Sequence, residues 1–215
     1  MKLIEQSIEI LTPIPADLNE KIEHIGRVCY KSEDRISPGS AEKFVLGLIK
    51  NQHFSVLDHF SMTARFITDR GITHEIVRHR IGVAYSQEST RYCDYGDKPI
   101  EFITPPGPEN STCRLALFQA EESYLAMREA GIAPQLARAV LPNALKTEIV
   151  VTMSLTAWRH FFALRCSPKA HPQMRELAIN LYRYMAWRAP QVFGDLDTGW
   201  NNEAVKDITV TEKFL

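Results

Sequence analysis

Along this chain, segments with an apolar residue every third or fourth position alternate with segments in which every second residue is apolar, and the switches mark its elements. Residues 3–11 alternate around Leu3, Ile4, Ile8 and Ile10 and predict a first strand, broken by Pro13 and Pro15. Asp17 is a candidate cap for a helix whose apolar positions are Leu18, Ile22, Ile25, Val28 and Cys29. After the turn Ser37-Pro38-Gly39-Ser40, a second helix sets Phe44, Val45, Leu48 and Ile49 on one side. Phe60, Met62, Ala64 and Phe66 alternate with Ser61, Thr63, Arg65 and Ile67, which predicts a half-buried strand.

Gly71 is expected to stop that strand and Thr73 to cap a short helix ending near Arg80, followed by a loop over 81–92. Pro105-Pro106-Gly107-Pro108 marks a break. A helix from about Glu109 to Ala130 then has Leu115, Phe118, Glu122, Leu125 and Met127 near core spacing. A second helix covers 133–141, Glu148 to Leu155 is β-rich, and Trp158 to Cys166 and His171 to Arg188 are helices separated by Ser167-Pro168. The tail from Asn201 is polar, with a late strand over Ile208-Thr209-Val210-Thr211. Strands interspersed with more helices predict mixed α/β (α+β), a central mixed sheet flanked by helices in one domain spanning 1–215.

Composition narrows the function classes. With 215 residues, 45% hydrophobic and 24% charged, the chain can bury a full core without staples. A formal net charge of -1 gives no overall basic field to attract nucleic acid, so any positive patch is local. No apolar run is long enough to span a membrane, and the start Met1-Lys2-Leu3-Ile4-Glu5 is unlike a signal segment, so a cytoplasmic protein is expected. Cys29, Cys93, Cys113 and Cys166 are scattered and form neither a zinc ribbon nor a disulfide framework. There is no G-x-G-x-x-G or Walker loop, so a bound nucleotide or flavin is not held in the Rossmann way.

The densest chemistry lies between Arg78 and Tyr92. Arg78, His79, Arg80 and Arg91 surround a linker carrying Ser86, Gln87, Glu88, Ser89 and Thr90. Guanidinium matches phosphate in a bidentate fork, and the hydroxyls and amide can read a polar ring edge. That is the equipment for holding a phosphorylated, uncharged ring; the bland reading is a helix end with solvated arginines. In His53-Phe54-Ser55-Val56-Leu57-Asp58-His59, two histidines and a carboxylate could ligate metal, but the spacing matches no zinc signature, and a structural turn or a ligand-facing loop also fits. Arg138 and Arg165 each sit in an apolar run, where a buried guanidinium needs an anionic partner such as Glu148 or Glu176, or an anionic ligand.

Together these residues carry a resemblance. Arg78-His79-Arg80, a spacer, then Ser89-Thr90-Arg91-Tyr92 resembles the signature of flavin-dependent thymidylate synthases. The supporting segments occur in the same order: His53 and Ser55, Ala137-Arg138 with Val140-Leu141-Pro142, and Trp158-Arg159-His160-Phe161-Phe162 leading to Leu164-Arg165. The similarity runs from about residue 20 to 190. Two departures stand out. The spacer Ile81 to Glu88 holds eight residues against the family's usual seven, and Ser154-Leu155-Thr156 stands where the family commonly has Asn-x-Arg, removing a cation expected near the flavin.

The resemblance implies conversion of dUMP to dTMP, with methylenetetrahydrofolate as carbon donor and NADPH supplying reducing equivalents through FAD. It implies that His53, Ser55, Arg78, His79, Arg80, Gln87, Ser154, Thr156 and His160 hold FAD. Glu75, Arg78, Gln87, Glu88, Ser89, Thr90, Arg91, Arg138 and Arg165 would surround dUMP, with Arg165 by the uracil edge favouring ionisation at N3. It further implies a homotetramer with sites shared between subunits, and no metal. Cys93, two residues beyond Arg91, would be a rival nucleophile toward uracil C6 if the arginine lowered its pKa, but it lies outside the family's ligand positions and is read as structural. Two alternatives from other classes are an RNA- or nucleotide-binding module docking phosphate on the 78–91 segment, and a metal-dependent hydrolase at His53, Asp58 and His59.

Overall fold

Two strictly alternating segments, Ser61–Asp69 and Lys146–Ser154, form the longest strands and pair antiparallel along their whole length, Ser61 opposite Ser154 and Asp69 opposite Lys146. Met62, Ala64 and Phe66 lie opposite Met153, Val151 and Ile149, and all six are buried on one face, as a period of two requires. The computed structural model describes residues 1–107, 110–200 and 204–214. Its elements are β1 (Lys2–Ile4), β2 (Ser7–Ile10), α1 (Leu18–Arg27), α2 (Ser40–Lys50), β3 (Ser61–Asp69), α3 (Arg70–Ile76), β4 (Val83–Gln87) and β5 (Glu101–Ile103). There follow α4 (Ser111–Glu129), α5 (Pro134–Ala137), β6 (Lys146–Ser154), α6 (Leu155–Arg165), α7 (Pro172–Arg188), α8 (Pro190–Phe193) and β7 (Thr209–Glu212).

The fold is mixed α/β. A five-stranded sheet has the order β4-β6-β3-β2-β7, antiparallel except for the β2–β7 pair. Against its apolar face pack α1, α2, α6, α7 and α8 around Phe66, Trp158, Phe161, Phe162 and Phe193. Trp158 satisfies its buried indole by donating to the Met62 carbonyl at 3.1 Å. A smaller cluster of Ile100, Phe102, Leu117, Tyr124, Ala137 and Leu145 lies where α4 and α5 meet the parallel pair β1–β5. The Phe102–Leu145 bridge links the two regions.

Several expectations are corrected. The first strand is two: β1 pairs with β5, whereas β2 joins the main sheet. Asp17 makes no side-chain cap and instead pairs with Lys21 at 2.9 Å, and Val28 and Cys29 lie in a 3-10 turn beyond α1. Gly71 does not end β3; it lies in the first turn of α3, where Asn143 comes so close that a Cβ would sit 3.4 Å from it. Thr73 donates to the Arg70 carbonyl rather than capping, and α3 stops at Ile76, short of Arg80. The expected 81–92 loop contains β4, an edge strand. On α4 the buried residues are Leu117, Glu121 and Tyr124, while Leu115 and Phe118 are exposed. Asn110 caps that helix; Pro108, Glu109 and the start of the tail at Asn201 lie outside the described residues.

A buried polar network fixes α3. Asp69 Oδ1 accepts the Ile72 N–H at 2.7 Å, and its Oδ2 accepts from the Gln173 side chain at 2.8 Å. Gln6 donates to the Gln173 carbonyl at 3.1 Å and accepts from Thr68 at 3.2 Å. Strands β2 and β3 and helices α3 and α7 are thereby locked together. Asp69→Ala removes a cap worth about 1 kcal/mol and orphans a buried amide at about 1–3 kcal/mol. A loss of about 2–4 kcal/mol in urea unfolding is expected, and a loss well under 1 kcal/mol would show that the network bears little weight.

Candidate active site

The site grows from the N-terminus of α6. Ser154 ends β6 and caps α6 by accepting the Ala157 N–H at 3.2 Å, while its hydroxyl donates to Asp58 at 2.8 Å. Thr156 donates to the Phe54 carbonyl at 3.1 Å, so the 3-10 turn Phe54–His59 is stitched to the helix. Between them opens a cavity of about 660 Å³, walled by Phe54, Ile81, Gly82, Ala157, Ala163 and Leu196, with Asp58, Ser154, Thr156, Arg159 and His160 as polar members. Ile81 is 90% exposed, an apolar side chain held in water at the cavity wall. Gly82, at φ +66°, makes the tight turn into β4 and accepts the Ser154 N–H at 3.3 Å.

Deeper in α6, Arg165 is held by three bonds. Nη1 donates to Glu75 Oε2 at 2.9 Å, Nη2 to the Glu75 carbonyl at 2.9 Å, and Nε to His79 Nε2 at 3.0 Å. His79 is only 8% exposed, packed against Phe161 at 5.0 Å between ring centres and edge-on to His160 at 5.9 Å. Because His160 also lines the cavity, this cluster abuts it. Burial first, then the charges of Arg165 and His160, bring the His79 pKa down from 6.5 to about 4. Tyr85 on β4 shares its single hydroxyl hydrogen between the carbonyls of His79 at 2.6 Å and Ile76 at 2.9 Å, and burial pushes its phenol up to about 12.

A second, polar pocket of about 340 Å³ is lined by Arg70, Thr90, Arg138, Asn143 and neighbouring residues. Arg138 donates to the Thr90 hydroxyl at 2.9 Å. It is exposed and has no carboxylate partner among the described residues, which corrects the expectation that it needs an anion for structural reasons. Arg70 lies outside the sequence motif. The available signal was its position: a cation in the first turn of α3 opposes the helix dipole, so its place there needs another reason.

The structure thus separates the predicted site residues into groups. Ser154, Thr156 and His160 line the larger cavity, whereas His53 and Ser55 only neighbour Phe54 in the chain and are not among its lining residues. Arg78 and Arg80 are exposed on either side of buried His79, without a carboxylate partner among the described residues. Strand β4 then carries the chain roughly 16 Å toward Gln87, whose amide donates to Thr73 at 2.9 Å. Glu88 accepts from Tyr95 at 2.8 Å and faces Lys146 at 3.5 Å. Ser89 closes a turn by accepting the backbone N–H groups of Tyr92 and Cys93, and Arg91 donates to Gln135 at 3.2 Å. Arg165 pairs with Glu75, not with the expected Glu148 or Glu176. His53, Asp58 and His59 form no metal cluster; no group of three or more candidate ligands gathers among the described residues.

Comparison with known proteins now decides the family. Residues 13–191 match the family described as "Thymidylate synthase complementing protein". The chain belongs to this family, the flavin-dependent thymidylate synthases. It is 40% identical over 200 residues to the flavin-dependent thymidylate synthase of Mycolicibacterium gilvum, covering 82% of this chain and 78% of that one. Identity to the flavin-dependent thymidylate synthase of Mycobacterium tuberculosis is 39% over the same shares, 82% and 78%. Thymidylate Synthase X from Helicobacter pylori, solved with FAD and dUMP, superposes with a TM-score of 0.77 at 21% identity, covering 89% of this chain and 98% of that one. The UMP/dUMP methylase PolB from Streptomyces cacaoi, bound with 5-Br dUMP, gives 0.76 at 22% identity, covering 90% and 96%. At those identities the structures establish a shared fold.

For this flavin-dependent thymidylate synthase chain the buried histidine makes stability depend on pH. Below about 6.5 the unfolded chain binds a proton that folded His79, with its pKa near 4, refuses. Its contribution is therefore intact above 6.5 and falls away as pH drops toward 4. His79→Gln should lose less unfolding free energy over that interval than the parent, whose slope from this one residue reaches about 1.4 kcal/mol per pH unit. Parallel slopes in urea titrations would rule the coupling out.

Proposed function

We propose that this chain methylates dUMP to dTMP with FAD as its resident flavin, methylenetetrahydrofolate as carbon donor and NADPH as reductant, without a cysteine nucleophile. The observation that carries the reading is Arg165: a guanidinium clamped at three points and linked through His79 to His160 on the cavity wall, with the remaining N–H groups on its terminal nitrogens free of protein partners among the described residues. Making uracil C5 nucleophilic builds negative charge on the ring. A preplaced guanidinium stabilises that charge and favours ionisation at N3.

The residues present fit a flavin. The larger cavity has apolar walls for a flat ring and a few polar groups at its edge. Arg78 and Arg80, adjoining the wall formed by Ile81 and Gly82, are unneutralised cations suited to a diphosphate. His53, Ser55, Ser154, Thr156 and His160 complete that side. When bound, the reduced flavin supplies the hydride that completes the methyl group. The chain's own work is positioning and electrostatics. In this reading Arg70, Arg138 and Thr90 take the dUMP phosphate, with Ser89 and Arg91 beside them, and Glu75 and Gln87 border the nucleotide near α3. Glu88, already engaged by Tyr95 and Lys146, supports the turn from behind.

Cys93 is half-buried on the turn after Arg91, and its backbone N–H serves Ser89. Cys166 is buried, which pushes its thiol up to about 12 and leaves it protonated. We also propose a homotetramer in the cytoplasm with shared sites. Exposed Leu115, Phe118 and Leu136, the last just before Arg138, support an interface beside the phosphate pocket. No helix among the described residues is long and apolar enough to cross a membrane.

The purified chain is expected to be yellow or to become so with FAD, to be bleached by NADPH and to release tritium from 5-tritiated dUMP. Arg165→Ala should keep flavin and lose on the order of a hundredfold in kcat. Arg70→Gln should raise the KM for dUMP with little change in kcat. Cys93→Ala should stay active. A colourless chain that FAD cannot reconstitute would refute the flavin, and an inactive, flavin-loaded Cys93→Ala would restore the thiol mechanism.

A further inference from the structure

His79 lies between two exposed arginines yet faces inward. Its Nε2 is occupied by the Arg165 Nε–H at 3.0 Å, and its ring rests against Phe161 at 5.0 Å. An imidazole that accepts at Nε2 carries its proton on Nδ1 and is uncharged. The low pKa of about 4 agrees with that form. The backbone at this turn is also pinned, because the single Tyr85 hydroxyl hydrogen is shared between the carbonyls of His79 and Ile76 at 2.6 and 2.9 Å. To reach a ligand in the cavity the ring would have to leave both Arg165 and its packing.

A guanidinium has five N–H groups in one rigid plane. In Arg165 three are engaged, one on each nitrogen: Nη1 and Nη2 by Glu75, Nε by His79. One N–H remains on each terminal nitrogen. Glu75 alone grips those two nitrogens from one residue. The bond to His79 adds a third anchor from a different direction and fixes the plane.

We infer that His79 is a positioning residue for Arg165, with Nε2 holding the guanidinium plane so that its two remaining N–H groups face the substrate. The identity of that substrate rests on the proposed thymidylate synthase reading; the contact itself does not. Tyr85 acts one step further back by holding the turn that carries His79.

The test compares the flavin-loaded parent with His79→Phe, which keeps the ring volume without an acceptor, and His79→Gln, whose amide oxygen can replace Nε2. Should His79→Phe not fold, His79→Asn, whose amide is too short to reach, gives the same contrast. Read out are kcat and KM for dUMP, flavin absorbance per chain, and exchange protection of the Arg165 Nε–H by NMR, assigned by its absence in Arg165→Lys. His79→Phe is expected to lose tenfold to a hundredfold in kcat, on the order expected for a misplaced catalytic group. Its flavin content and dUMP KM should stay within about twofold. The Nε–H should be protected in the parent and His79→Gln and unprotected in His79→Phe, with most of kcat restored in His79→Gln. Loss of flavin in His79→Phe with unchanged kcat per bound flavin would place His79 on the cofactor and overturn the inference. So would an Nε–H protected equally in all variants. If the protection pattern appears but dUMP is not turned over by the parent, the positioning contact stands and the thymidylate synthase reading falls.

Discussion

The carboxylate of Asp69 is the point on which the site's geometry depends. It sits at the junction of β3 and α3 and uses both oxygens, one for the first turn of α3 and one for Gln173 on α7. That fixes where α3 starts and how it lies against the sheet. Glu75 is on the last turn of this short helix and delivers two acceptors, its carboxylate and its carbonyl, to Arg165. A seven-residue helix has too few internal bonds to hold such a position unaided. A buried polar group is costly unless satisfied, so a fully bonded Asp69 allows one arrangement of its partners and penalises the others.

The arginines divide into two populations that the net charge conceals. Arg27, Arg65, Arg128 and Arg159 are each paired with a carboxylate, Arg65 bridging Glu9 and Glu148 across the open face of the sheet. Arg159 grips Asp195 and the Val192 carbonyl and lies over the Phe54 ring, so it stabilises the cavity wall rather than offering charge to it. Arg78, Arg80 and Arg138 have no carboxylate among the described residues. Arg138 lines the smaller cavity, and Arg78 and Arg80 precede Ile81 on the wall of the larger one; cations left unneutralised there suit an anionic ligand. They also explain how a chain of formal charge -1 can bind one.

Much of this was legible in the sequence where periodicity was strong. β3 and β6 alternate cleanly because one face is apolar and the other polar, and α1, α2, α6 and α7 carry helical spacing. β4 looks like loop in the sequence because Val83-Ala84-Tyr85-Ser86-Gln87 is a sheet edge with no fully buried residue, so the contrast that marks a strand is missing. β1 and β5 are three residues each and are paired across about a hundred positions, which local patterns do not encode. α4 misled because its apolar residues are divided between a buried stripe and an exposed one. The candidate site residues stand in the sequence as a motif. Their partners do not: Arg165 and Glu75 are 90 positions apart, and nothing local announces that they meet.

The chemistry of the Arg165 clamp depends on the charge of each anchor. Glu75 supplies one negative charge at 2.9 Å. A second carboxylate in place of His79 would orient the guanidinium equally well. It would also oppose the positive charge of Arg165, since a unit charge at 4 Å counts for about 4 kcal/mol at an effective dielectric near 20. An uncharged imidazole gives direction without that opposition. Burial against Phe161 keeps it uncharged, and the neighbouring guanidinium reinforces the effect. The same apolar packing that excludes water from His79 therefore preserves the positive potential of Arg165, and the core around Trp158, Phe161 and Phe162 contributes to the electrostatics of the site as well as to the stability of the fold.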